Sequence, residues 1–161
     1  MTHANAAAVL MQPVSEDRDG RWMVYGGGYV TQFMPGLRED GPVEIAVELS
    51  SARIAGDRIA ALWNHVTPCV IGYWDAATVG PESIEVDLHL MALEGAEEDA
   101  ARDVLMTRAQ VRNGVPMQAS IGAHIGDDGE VVAVTEAMQV NGRTLEPGPH
   151  RYLMKGAIIH E

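Results

Sequence analysis

The chain holds five serines and six histidines. Together these residue types can run acyl transfer, an imidazole taking the hydroxyl proton as the oxygen attacks a carbonyl. Ser120 stands apart among the serines. It lies in MQASIGAHI, residues 117–125, inside an otherwise apolar run. With period two, Met117, Ala119, Ile121, Ala123 and Ile125 share one strand face, and Gln118, Ser120, Gly122 and His124 share the other. A strand hydroxyl in such a run carries a desolvation cost, so it either bonds a backbone carbonyl or does chemistry. Ser15 falls in an N-terminal arm, Ser50 and Ser51 are accounted for by capping or turn formation, and Ser83 opens a strand.

His124 shares the face of Ser120, but four residues along a strand span ~13 Å, beyond hydrogen-bonding reach. His89 shares a face with Glu85 and Asp87, as a solvated or pH-sensitive surface histidine would. His3 and His150 lie in loop-like surroundings. His65 follows the bulky Leu62–Trp63 pair and precedes a turn into a buried strand, a place that suits a base or a helix C-cap. Cys69, four residues on, could pair with His65 as a thiol nucleophile, although PCVIGYW reads more simply as a buried strand. Other chemistries lack their residues. Gln118 breaks a Gly-x-Ser-x-Gly elbow. A lone cysteine and no His-Glu-x-x-His leave no metal site to expect, and nothing calls for a cofactor.

These side chains need elements to position them. Residues 1–20 read as a flexible N-terminal arm and 21–161 as one domain. RWMVYGGGYV predicts a strand bent at Gly26, Gly27 and Gly28, since no helix follows to make a phosphate cradle. GPVEIAVEL alternates as a half-buried strand. AGDRIAALWNHV has Asp57 as N-cap and helical apolar spacing, which predicts a short helix ending near His65. CVIGYWDAATV and SIEVDLHLM predict a hairpin across Gly80–Pro81. Residues 94–113 form the clearest helix, with an acidic start, Arg108 and Arg112 at its end and Gly114 beyond. After the Ser120 strand come a turn at GDDG, the strand EVVAVTEAMQV, a turn at Asn141–Gly142 and a last strand RYLMKGAIIHE. The expected fold is mainly β with flanking helices (α+β). About seven strands make a mostly antiparallel barrel, with the long helix between the His65 and Ser120 segments.

Composition narrows the partners. At 161 residues, 47% hydrophobic and 21% charged, the chain is long and apolar enough for one domain with a real core. A net charge of −12 opposes binding to nucleic acid or to anionic membranes. The N-terminus has no basic segment ahead of its apolar stretch, and no run approaches the ~20 residues of a membrane span. With a single cysteine, a cytoplasmic setting is expected.

Two segments taken in order resemble the phage prohead (capsid-maturation) serine proteases. ALWNHVTPCVIGYWDAATVGPESIEVDLHL is similar to the family's histidine block, and VRNGVPMQASIGAHI to its serine block, with QASIGA in the form of the Mu-like branch. The resemblance covers about residues 20 to 161. It implies an assemblin-like barrel and a serine endopeptidase that cleaves scaffold and capsid proteins, and itself, in the assembling procapsid of a bacterial host. It carries Ser120 over as nucleophile and His65 as general base. The family's third residue falls in a late Glu-Val-Ser strand; here the chain ends KGAIIHE, so Glu161 takes that place without the Val-Ser, as if truncated. His160 and His89 are the alternatives, since assemblins use a second histidine. In a regular strand His160 and Glu161 face opposite sides. A capsid-assembly or scaffold-binding domain without turnover is the other reading, and self-association is open in both.

Overall fold

The computed structural model describes residues 2–12, 15, 18–63 and 69–161, with backbone only at 2–7, 9, 12 and 76. The strands before the helix are β1 (Thr2–Gln12), β2 (Arg21–Tyr25), β3 (Val30–Gln32), β4 (Val43–Val47), β5 (Arg53–Ile54), β6 (Arg58–Leu62), β7 (Val70–Val79) and β8 (Ser83–Leu90). A 3-10 turn spans Leu49–Ser51. Helix α1 (Glu98–Arg112) precedes β9 (Met117–Ala133), β10 (Met138–Val140), β11 (Arg143–Leu145) and β12 (Arg151–Ile159).

The fold is mainly β, with one α-helix among the described residues. Ten strands form one sheet in the order β3-β4-β12-β9-β1-β2-β8-β7-β6, with β5 paired to β12, and β10 and β11 form a second, two-stranded sheet. The larger sheet curls into a half-barrel, and β5 comes close to β7. Only β4 and β5 run parallel to their neighbour β12. Alternation explains the curl's apolar lining: Ile84, Val86, Leu88 and Leu90 of β8 face the core with Trp22 and Val24 of β2. Helix α1 adds Val104 and Val111 to that core. It ends as its sequence dictates, with Gly114 at φ +64 where a left-handed residue closes the last turn.

A second, smaller core covers the other face of β4. Ala46 packs there with Val134, Val140, Leu145 and Leu153 beneath the β10–β11 hairpin. Asn141 and Gly142 both have positive φ (+53 and +71), the geometry of a tight two-residue hairpin turn. The buried Asn141 side chain accepts from Leu49 N (2.9 Å) and donates to Val47 O (2.7 Å). A Cβ at Gly26 would come within 2.7 Å of Asn141, so the first glycine of the triplet is a close approach between segments.

Four expectations need correction. The expected arm is strand β1 over most of its length, paired to β9 on one side and to β2 on the other; hydrogen bonds at both edges outweigh the poor strand propensity of its alanines. The helix expected over 55–66 is instead β6, as far as the chain is described. Ile59 and Ala61 are buried with period two, and pairing with β7 overrides the helical propensity of the alanines. GDDG is a bulge, because β9 continues past it. Between the pairs Lys155↔Glu130 and Ala157↔Ile125, β9 has four residues against the single Gly156 of β12. Gly156 takes φ +64 there, and a Cβ on it would lie 2.9 Å from the Gly129 α-carbon. The strands number twelve among the described residues rather than seven.

Candidate functional site

Ser120 lies near the start of β9, where β1 pairs along it with Asn5 opposite Ser120. Ile121 and Ala123 are buried as the apolar face requires, whereas Ile125 at the end of that face is 43% exposed. Ser120 lines a cavity of about 390 Å³ bounded by β2, β6, β8, α1 and the α1–β9 connection. It also borders a second void of about 30 Å³ in the half-barrel core, room for one water. Glu161 lines both.

The chain end reaches this site through a bulge. Gly122 N donates to Glu161 O (2.9 Å), and His160 N donates to Gly122 O (3.0 Å). Two residues after β12 therefore stand opposite one residue of β9, which breaks the alternation expected of His160 and Glu161. The Glu161 side chain then lies against the α-carbon of Gly122, occupying the space a Cβ would take. Gly122 and Ser120 share a face of β9, so the carboxylate arrives two residues from the serine hydroxyl along the same strand.

The histidines separate. His65 falls within residues 64–68 and lies outside the described residues. The base of that segment is described: Trp63 N donates to Cys69 O (2.9 Å), and Leu62 and Trp63 both line the Ser120 cavity. His89 lies on the face of β8 opposite the cavity-lining Leu88, where it stacks on Tyr73 at 4.7 Å and approaches Asp75 at 3.9 Å. His160 packs beside the exposed His124, ring centroids 5.4 Å apart. His3 is a strand residue whose backbone pairs with Gly122, and His150 is exposed in a turn with φ +59.

On the outer face of β8, Arg21 grips Asp87 through two bonds of 2.8 and 2.9 Å, with Arg18 at 3.7 Å. The guanidinium bond from Arg21 holds the Asp87 carboxyl below the usual aspartate range, against the opposing effect of its burial. Asp19 accepts from Leu90 N (2.7 Å) and from Arg108 of α1 (3.4 Å), tying the segment before β2 to β8 and the helix. Among the described residues, no cluster of three or more His, Cys, Asp or Glu could hold a metal, and no helix is long and apolar enough to cross a membrane.

The residues that sequence reasoning missed are those that shape the cavity. All three tryptophans of the chain, Trp22, Trp63 and Trp74, line it. Among the described residues, the buried Trp22 Nε1–H meets no acceptor; left so, it costs about 1–3 kcal/mol. The available signal was their scarcity: aromatic residues are 5% of the chain, so three indoles in one place are not general core filling. Comparison with protein-family models, with characterised proteins and with solved structures yields no match to this chain.

Proposed function

We propose that the chain is a serine endopeptidase of the prohead-protease type, with Ser120 as nucleophile, His65 as general base and Glu161 orienting the imidazole. One observation carries this reading: Ser120 and Glu161, far apart in sequence, line one cavity with Leu62 and Trp63, which lead into His65. His65 is two residues beyond Trp63, and two peptide units span at most about 7 Å. On this reading the half-barrel corresponds to the barrel of that family.

The chemistry follows from the parts. The Ser120 oxygen attacks the scissile carbonyl as its proton passes to the His65 imidazole. The imidazolium then protonates the leaving amine, and the C–N bond breaks to leave an ester on Ser120. Water repeats the sequence in reverse roles, releasing the acid and restoring the serine. The Glu161 carboxylate fixes the tautomer of His65 and stabilises its cationic form, as a triad carboxylate must. The substrates are phage scaffold and capsid proteins, and the chain itself, inside the procapsid assembling in a bacterial cytoplasm.

The test is co-expression with phage scaffold and capsid proteins, wild type against Ser120→Ala. Processing by the wild type alone supports the proposal. Equal processing by both removes Ser120 from the role. Co-purification without cleavage by either protein favours the capsid-assembly or scaffold-binding alternative.

A further inference from the structure

We infer that the cavity beside Ser120 is a recognition pocket for a bulky, uncharged apolar side chain of an extended peptide, an assignment that rests on Ser120 being the nucleophile. The cavity walls are largely apolar and aromatic. Trp22, 4% exposed, is buried against the cavity, and the part-exposed Trp63 and Trp74 join it with Ile71, Leu88 and Met117. Indole surface left open to water gains by being covered with apolar atoms. A cavity near 150 Å³ suffices for a benzene ring. About 390 Å³ therefore admits a leucine, methionine or aromatic side chain with adjoining backbone.

Charge selects within that class. Glu161 is the one charged residue among the described lining, in a chain of net charge −12. An acidic side chain would meet the like charge of Glu161 there. A basic one would pair with the carboxylate that the triad requires. The geometry also favours a peptide over a compact ligand. β6 is the last strand of the sheet, and its Ala60, Ala61 and Leu62 line the same cavity. An extended chain can pair along that edge and send alternate side chains inward, one reaching the indoles while the neighbouring carbonyl meets Ser120.

Because all three tryptophans border the pocket, their fluorescence reports occupancy directly. The probes are three blocked tetrapeptides, acetyl-Ala-Ala-X-Ala-amide with X as leucine, glutamate or alanine, titrated into the full-length Ser120→Ala variant. The leucine peptide should give a saturable shift in emission and bind at least about 10-fold more tightly than the other two. Ala60→Leu, which fills the cavity, and Val115→Glu, which adds a charge at a 43% exposed lining position, should each weaken it about 10-fold. Circular dichroism would confirm that both variants remain folded. No saturable shift, or equal binding of the glutamate peptide, overturns the pocket assignment. The two readings fail separately. Cleavage by the wild type with no preference for leucine over glutamate defeats the pocket alone. Leucine-selective binding to a wild type that cleaves nothing defeats the protease reading that the assignment rests on.

Discussion

The Glu161 side chain lies against the α-carbon of Gly122, so the residues after β12 and the strand that carries Ser120 are fitted to one another. Gly122 is at once a hydrogen-bond partner of the terminal bulge and the seat of its carboxylate. Gly122→Ala should therefore displace Glu161, since the added Cβ would claim the space its side chain takes. The expected result is a fall in kcat of about 100-fold, with KM little altered and stability within about 1 kcal/mol of wild type. Steady-state kinetics and urea unfolding read the two quantities separately.

In the proposed mechanism a neutral His65 imidazole accepts the Ser120 proton. The rate should thus fall as acid protonates the imidazole and reach a plateau at higher pH. Glu161→Gln should lower the plateau by about 100-fold or more while leaving peptide binding in place, because it removes the charge that stabilises the imidazolium. A pH–rate profile of both proteins tests this.

Asn141 joins the β10–β11 turn to the backbone between β4 and the 3-10 turn. Asn141→Ala would leave the buried Leu49 N–H and Val47 O without their side-chain partner, and would keep a positive φ on a residue with a Cβ. A loss of about 2–4 kcal/mol in urea unfolding is expected. Asn141→Gly relieves the backbone strain but not the lost bonds, so it should be the less damaging of the two.

Asp87 gives a prediction for acid. Its carboxyl titrates below the ordinary 3.8 because Arg21 favours the ionised form. The folded state therefore holds that proton less tightly than the unfolded chain does. The resulting stabilisation is complete above the ordinary value and disappears as pH falls through the lowered one. Asp87→Asn should reduce stability at neutral pH by about 1–3 kcal/mol, and the gap to wild type should close under acid. Thermal unfolding from pH 7 to pH 2 measures it.

Much of this architecture is legible in the sequence where periodicity and turn chemistry speak together. Helix α1 with Gly114 beyond it, the β7–β8 hairpin across Gly80–Pro81 and the Asn141–Gly142 turn all appear as their residues dictate. What the sequence hides depends on partners distant along the chain. Arg58–Leu62 has helix-forming alanines, and only β7 alongside makes it a strand. The alanine-rich β1 has no strand signature of its own and is fixed by neighbours on both edges. The bulge that turns Glu161 toward the Ser120 face cannot be read from KGAIIHE, since it arises from two residues meeting the one Gly122. The gathering of Trp22, Trp63 and Trp74 likewise exists only once β2, β6 and β7 are assembled.

The most direct test of Ser120 as an activated nucleophile is intact-mass analysis after treatment with a fluorophosphonate, which reacts covalently with such serines. The account predicts one adduct on the wild type, mapped to Ser120, and none on Ser120→Ala or His65→Ala. An unlabelled wild type, or equal labelling of Ser120→Ala, would contradict it.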